Sequence, residues 1–321
     1  MKKNYSRVLP QQWRGMSKVF SALGDEHRQR ILLLFERGER LNVGQIAEVA
    51  TLARARVSGK ALVLVHGLCL TDLHWLRDGH DHGQALARDH GYTPVYLHYN
   101  SGLHVSANGC RLAGLLEQLV DLWPTQLDEL AVVGHSMGGL VARSACYYGQ
   151  LAHHKWLRRL RTMVFLGAPH HGAPLERGGH ALDFLLALSP YSAPFTRLGK
   201  ARSAGITDLR YGNLRDEDWL EQDRNGLGSD PRQPVALPDG TACYAAAATL
   251  GKRRGPVSDK LVGDGLVPLD SALGRHVRPE LALALPASHQ WVGHGMGHLD
   301  LLSSRAVYAQ MSQWIGEAAG R

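Results

Sequence analysis

The residues with the clearest capacity for chemistry lie in Leu130-Ala131-Val132-Val133-Gly134-His135-Ser136-Met137-Gly138-Gly139-Leu140-Val141-Ala142-Arg143. Apolar residues lead directly into Gly-x-Ser-x-Gly, and helix-compatible residues follow at once. That is the pattern of a strand that ends in a tight turn and continues as a helix. In such a turn the serine backbone is strained, so its neighbours must be small. Gly134 and Gly138 meet that need, because a Cβ at either place would collide with the adjoining strand or helix. The pattern predicts that Ser136 stands at the tip with its hydroxyl exposed, as a nucleophile rather than part of an ordinary glycine turn.

A serine hydroxyl at neutral pH needs a base, and the base needs a carboxylate to orient it. When the nucleophile sits on a strand-turn-helix, its partners follow in the chain order acid, then histidine. In Leu261-Val262-Gly263-Asp264-Gly265-Leu266-Val267-Pro268 one acid sits between two glycines after a strand-like lead, so Asp264 is the candidate and Asp270 the reserve. The histidine candidates near the end of the chain are His289, His294 and His298. His298 opens an amphipathic stretch, Gly297-His298-Leu299-Asp300-Leu301-Leu302, and is the first candidate, with His294 next. Asp300 reads as an acid of a first helical turn. The oxyanion formed on attack needs two fixed donors. The backbone N–H of Met137 is one. The other is that of Leu68, which follows Leu62-Val63-Leu64-Val65-His66-Gly67, where Gly67 lets the backbone approach a substrate carbonyl.

These groups must be held by a scaffold, and the chain alternates strand-like and helix-like pieces from Ala61 onward, as a mostly parallel sheet covered by helices does. Strands are predicted at Ala61–His66, Thr93–His98, Leu130–His135, Thr162–Leu166 and Ala242–Ala248, with a short one at Ala282–Leu285. Helices are predicted over Gln84–Asp89, Ala107–Leu122, Met137–Tyr148 and His298–Gly316. Residues 174–240 depart from the alternation and read as an insertion over the active face, a lid whose Phe184, Leu185, Leu186, Leu188, Tyr191 and Phe195 either receive an acyl chain or pack the lid itself. Tyr99-Asn100-Ser101-Gly102 either lines the pocket or turns the chain.

The set His66-Gly67-Leu68, Gly134-His135-Ser136-Met137-Gly138-Gly139, Leu166-Gly167-Ala168-Pro169-His170-His171-Gly172, Gly263-Asp264-Gly265-Leu266-Val267-Pro268 and His298-Leu299-Asp300-Leu301-Leu302 resembles the lipase/esterase branch of the α/β-hydrolase superfamily. Within it, the set is similar to bacterial proteins that look like the catalytic domain of GPI inositol-deacylases. The resemblance covers residues 60–318. It implies an α/β-hydrolase fold and cleavage of carboxylic esters through an acyl-enzyme, with Ser136, Asp264 and His298 as the triad and no cofactor or metal. Ala168 departs from the family's usual Thr without touching the triad. Thioester hydrolysis and acyl transfer on the same fold remain open, because the triad does not read the leaving group.

Residues 1–59 lie outside that resemblance. Residues 1–60 hold 12 Lys/Arg against 5 Asp/Glu, which accounts for the whole formal charge of +7. Residues 17–58 resemble a truncated ArsR-type helix-turn-helix: Phe20-Ser21-Ala22-Leu23-Gly24-Asp25-Glu26-His27-Arg28, then Leu41-Asn42-Val43-Gly44-Gln45-Ile46-Ala47-Glu48. Gly59 and the strand after it leave no room for a full recognition helix. A basic helical pad packed on the hydrolase is the favoured reading, and a DNA-binding regulator with a hydrolase-like domain is the rival. Hydrophobic residues at 44% and charged ones at 20% describe a soluble globular chain. No secretory signal follows the basic start, and no apolar run reaches bilayer length. Cys69, Cys110, Cys146 and Cys243 are spread without metal-ligand spacing, so a reducing, cytoplasmic setting is expected. The pairs in His80-Asp81-His82, His153-His154 and His170-His171 lack an identifiable third metal ligand and read as polar loop residues. The expected partner is a small-molecule or lipid ester.

Overall fold

The computed structural model describes residues 57–173, 203–220, 232–251 and 263–319. The helix-turn-helix-like stretch, and the lid residues between Phe184 and Phe195, lie outside them. One sheet organises the rest. Its strands are β1 (Lys60–Val65), β2 (Thr93–Leu97), β3 (Glu129–His135), β4 (Leu160–Leu166), β5 (Ala242–Thr249) and β6 (Gln290–His294). They stand in the order β2-β1-β3-β4-β5-β6, and every pairing is parallel.

A parallel sheet buried on both faces needs apolar side chains at successive positions, not alternate ones. Strand β1 meets that requirement: Ala61, Val63 and Val65 join one core, while Leu62 and Leu64 join the other. The first core packs α2 (Val105–Leu122) and α3 (Met137–Leu151) on one face. The second packs α1 (His82–His90) and α5 (Arg305–Ala319) on the other, around the fully buried Trp75, Trp314 and Tyr244. Each large apolar side chain taken fully out of water contributes roughly 1.5–3 kcal/mol, so the two cores fix the sheet's position between the helices. Helix α4 (Ala204–Tyr211) belongs to the region read as an insertion. Its Gly205 lies so close to α2's entry that an added Cβ would sit 2.3 Å from Ser101 O. Asp208, fully buried, accepts hydrogen bonds from the opening amide of α2 at Val105 (2.7 Å) and from His104 Nδ1 (3.0 Å).

Two sequence expectations are corrected. Ala282–Leu285 forms no strand, and the last strand is Gln290–His294. The predicted strand alternates suitably, but Pro286 and a one-turn 3-10 helix (Pro279–Leu281) bracket it, and it finds no neighbour. The segment His298–Gly316 is also not one helix. A 3-10 turn over His298–Leu302 is separated from α5 by Ser303 and Ser304. Asp300 closes that turn, its Oδ2 accepting from Gly297 N (2.8 Å) and its carbonyl from Ser304 N (2.9 Å).

Because all six strands run the same way, every loop that follows a strand emerges on one edge. The chain reverses its direction of travel across the sheet between β1 and β3. In open parallel sheets, such a switch point opens a crevice at the strands' carboxyl ends.

Candidate active site

The loops after β1 and β3 meet in that crevice. Ser136 links β3 to α3 with φ 54° and ψ −126°, a conformation that non-glycine residues rarely hold. The strand-side bond Ser136 N to Leu166 O (2.8 Å) and the helix-side bond Gly139 N to Ser136 O (3.0 Å) keep it there. A Cβ at Gly138 would lie 2.1 Å from Val65 O, and one at Gly134 would lie 2.6 Å from Gly139 Cα. The turn therefore packs backbone on backbone. Gly67 lets the neighbouring loop press on the same turn, where a Cβ would come within 2.9 Å of Ser136 Cβ and 3.1 Å of His135 Nδ1. Met137 opens α3, so its N–H is among the amides without an intrahelical acceptor.

The loop carrying Leu68 is clamped by side chains. Tyr99 Oη donates to His66 O (2.6 Å), and its ring stacks on His66 at 4.3 Å. His66 Nδ1 donates to Gly67 O (2.9 Å), and Cys69 N donates to Ser101 Oγ (3.2 Å). Burial pushes the His66 imidazole down to about 4 and raises the Tyr99 hydroxyl well above its ordinary range. Both stay neutral at physiological pH, so the clamp keeps its protons. Tyr99, Ser101 and His66 thus position the loop that carries Leu68. The sequence reading left Tyr99 and Ser101 between two roles. The only signal for the clamp was the position of Tyr99 just past a core strand.

On the other side of the crevice, His298 Nδ1 lies 2.7 Å from Asp264 Oδ2, with both side chains buried. The other carboxylate oxygen, Oδ1, accepts from Leu266 N (2.9 Å) and Val267 N (2.8 Å), and His298 N reaches Asp264 O (3.1 Å). The acid is thereby oriented by three backbone bonds within its own two loops. With Nδ1 donating to a carboxylate, a neutral His298 presents the lone pair of Nε2, which is buried and has no hydrogen-bond partner. The ring rests against the turn that carries Ser136. It lies 4.7 Å from the ring of His135, whose Nε2 donates to His298 O (3.2 Å), and a Cβ on Gly167 would touch it at 3.2 Å. Burial and the neighbouring His298 hold His135 well below the usual imidazole range, so it stays a neutral spacer.

The reserve residues stand elsewhere. Asp270 lies 3.6 Å from Arg275, His289 Nδ1 bonds Cys243 O (3.0 Å), and His294 ends β6 opposite Thr249. One of the histidine pairs is absorbed into the framework. His80 Nε2 meets His82 Nδ1 (2.9 Å), and His82 Nε2 donates to Leu301 O (2.9 Å), behind the turn that carries His298. Asp81 caps α1 through Gln84 N (3.0 Å). Among the described residues no group of three or more His, Cys, Asp or Glu gathers as a metal cage, and no helix is long and apolar enough to cross a membrane. The four cysteines are free.

A family model described as a PGAP1-like alpha/beta domain matches residues 56–224. The structure is similar to that of a lipase from Bacillus licheniformis in its mature form, at 18% identity and a TM-score of 0.48, over 80% of this chain and 91% of that one. It is also similar to a metagenomic carboxyl esterase, at 18% identity and a TM-score of 0.45, over 82% and 76% of the two chains. A lipase-esterase related protein from Clostridium acetobutylicum aligns at 13% identity and a TM-score of 0.42, over 82% and 95%. No curated protein matches the sequence.

Proposed function

The chain belongs to the PGAP1-like alpha/beta domain family, and on that premise we propose that it is a serine hydrolase cleaving carboxylic esters through an acyl-enzyme. One observation carries the reading: a buried imidazole anchored to Asp264 at 2.7 Å, with its Nε2 unpartnered, has its ring 4.7 Å from that of His135, the residue just before the strained Ser136. Ser136 Oγ attacks the ester carbonyl carbon while its proton passes to His298 Nε2. Asp264 holds the imidazolium that results. The carbonyl oxygen gains the negative charge and rests on the N–H groups of Leu68 and Met137. Collapse of that intermediate expels the alcohol, which takes the proton from His298. Water then repeats the sequence on the acyl-enzyme, and the carboxylic acid leaves. No metal or organic cofactor enters this sequence. The free cysteines support a reducing, cytoplasmic setting for the enzyme.

The test is covalent labelling with a fluorophosphonate, together with hydrolysis of p-nitrophenyl esters of graded acyl length. We expect wild type to label at Ser136 and Ser136→Ala to lose both labelling and turnover, by about 10^6-fold in kcat, without loss of Tm. Turnover of Ser136→Ala at the wild-type rate would remove the nucleophile and the mechanism with it.

A further inference from the structure

The residue just before Ser136 carries a side chain that the reaction above does not consume. His135 ends β3, paired with Leu166 of β4. Ala131 and Val133 of the same strand join the second core, and alternation along the strand turns His135 to that face as well. At this rim of the core an imidazole stands where the strand's pattern has apolar side chains, and it is fully buried. Burying a polar ring is unfavourable unless it gains hydrogen bonds there.

The bond it gains runs to the main chain of His298. His135 Nε2 donates to His298 O (3.2 Å), while His298 N donates to Asp264 O (3.1 Å). The backbone of His298 is thus held on one side by the loop of its acid and on the other by the neighbour of Ser136. A second histidine, His82, donates Nε2 to Leu301 O (2.9 Å) from α1, but His135 belongs to the strand that delivers Ser136. The His135 ring also flanks that of His298, with centroids 4.7 Å apart and planes tilted by 47°. Among the described residues His135 Nδ1 has no hydrogen-bond partner, and a Cβ on Gly67 would meet it at 3.1 Å. With Nε2 donating, the neutral ring carries its single proton there, and a second proton on Nδ1 would be buried without an acceptor. Burial and the neighbouring His298 accordingly hold His135 in its neutral form. One side chain therefore reaches three segments: the turn of Ser136, the loop of Gly67 and Leu68, and the turn of His298.

We propose that His135 is a positioning residue, whose Nε2–H sets the separation of His298 from Ser136. The inference rests on the reading of Ser136 as nucleophile and His298 as base. Proton transfer between them needs the two reacting atoms within hydrogen-bond reach, and a displacement of about 1 Å costs on the order of 10^2-fold in rate. His135 itself touches no substrate and accepts no proton in the reaction. Its contribution is distance.

Three substitutions in the full chain test this, read with p-nitrophenyl esters and with a fluorophosphonate. Methionine and glutamine have similar volumes and both lack the ring, but glutamine keeps an N–H at about the reach of Nε2. The asparagine amide is too short to reach. His135→Met and His135→Asn are expected to lose about 10^2-fold in kcat with KM changed less than about threefold, and the rate constant of fluorophosphonate labelling falls by the same factor. His135→Gln is expected to recover at least about tenfold of that loss in both measurements. Labelling uses the same base without recognition of an ester, so it separates geometry at Ser136 from substrate binding. A histidine that merely filled space would lower Tm in all three variants and leave kcat per labelled site unchanged, which would overturn the proposal. Where the methionine and asparagine variants do not fold, His135→Gln decides alone, with kcat expected within about tenfold of wild type. A loss confined to KM, a His135→Gln as slow as His135→Met, or failure of His135→Gln to fold also overturns it. Wild type that neither labels nor turns over would instead remove the reading of Ser136, and this inference with it.

Discussion

The two halves of the proposed catalytic crevice are built by different physical means. The β1 and β3 side, with Ser136, Gly67 and Gly138, is held by steric exclusion: the chain segments approach so closely that a single added Cβ would meet atoms 2.1–2.9 Å away. The β5 and β6 side, with Asp264 and His298, is held by polar satisfaction. There each carboxylate oxygen and the imidazole Nδ1 has a stated partner between 2.7 and 2.9 Å. A sterically defined site fails when atoms are added, and a hydrogen-bonded one fails when a donor or acceptor is exchanged. The contrast explains why isosteric changes should be harmful on one side and tolerated on the other.

The largest effect expected within this comparison is that of Asp264→Asn. The substitution preserves shape but turns an acceptor toward His298 Nδ1 into a donor, so the imidazole adopts the wrong tautomer. Loss of kcat on the order of 10^4-fold with a nearly unchanged KM is expected. Retention of most activity would show that the acid side is not organised by hydrogen bonding.

Gly67→Ala probes the opposite side. The added methyl must displace Ser136 or His135, and an error of about 1 Å at the reacting atoms costs on the order of 10^2-fold. Steady-state kinetics should show this loss in kcat. A fully active Gly67→Ala would mean that the two loops can separate without harm.

Stability against pH offers a third measure. Burial pushes His66 and His82 down to about 4 from an ordinary 6.5, so below pH 6.5 the unfolded chain binds protons that the folded chain refuses. Their destabilising effect therefore grows as pH falls from 6.5 to about 4 and is small above 6.5, amounting to about 3 kcal/mol per group at the acid end. Calorimetry from pH 7 to pH 4.5 should show Tm falling, and His82→Gln should flatten the slope. An unchanged slope in that variant would remove His82 from the account.

The smallest effect belongs to Tyr99→Phe, which leaves the His66 carbonyl without its donor, at a cost of about 1–3 kcal/mol. We expect a lower Tm and a modest fall in kcat, with Ser136 still labelled by the fluorophosphonate. Loss of labelling would mean that the clamp extends to the nucleophile itself.

The steric half was legible before any coordinates. A strained strand-turn-helix is written in consecutive residues, because apolar strand, flanking glycines and helix start are all local requirements, and Gly67 after β1 carries the same kind of signal. The apolar run of β1 likewise announced a strand buried on both faces. The polar half was legible only as candidates. Asp264 and Asp270, or His289, His294 and His298, have similar local surroundings, and nothing in their spacing says which loops meet. Strand β6 escaped notice because Gln290–His294 is short and mostly half-buried, and so lacks the apolar run of a central strand. Strand order and a common parallel direction decided those questions, by delivering the ends of β5 and β6 to the same edge as Ser136 and bringing Asp264 and His298, 34 residues apart, to 2.7 Å. The same folding placed Arg143, two turns along α3, against His170 from another loop. Sequence thus determined the chemistry that neighbouring residues impose on one another, whereas partnerships between distant residues were decided by tertiary structure, because hydrogen bonds act over a few ångströms of space and are indifferent to separation along the chain.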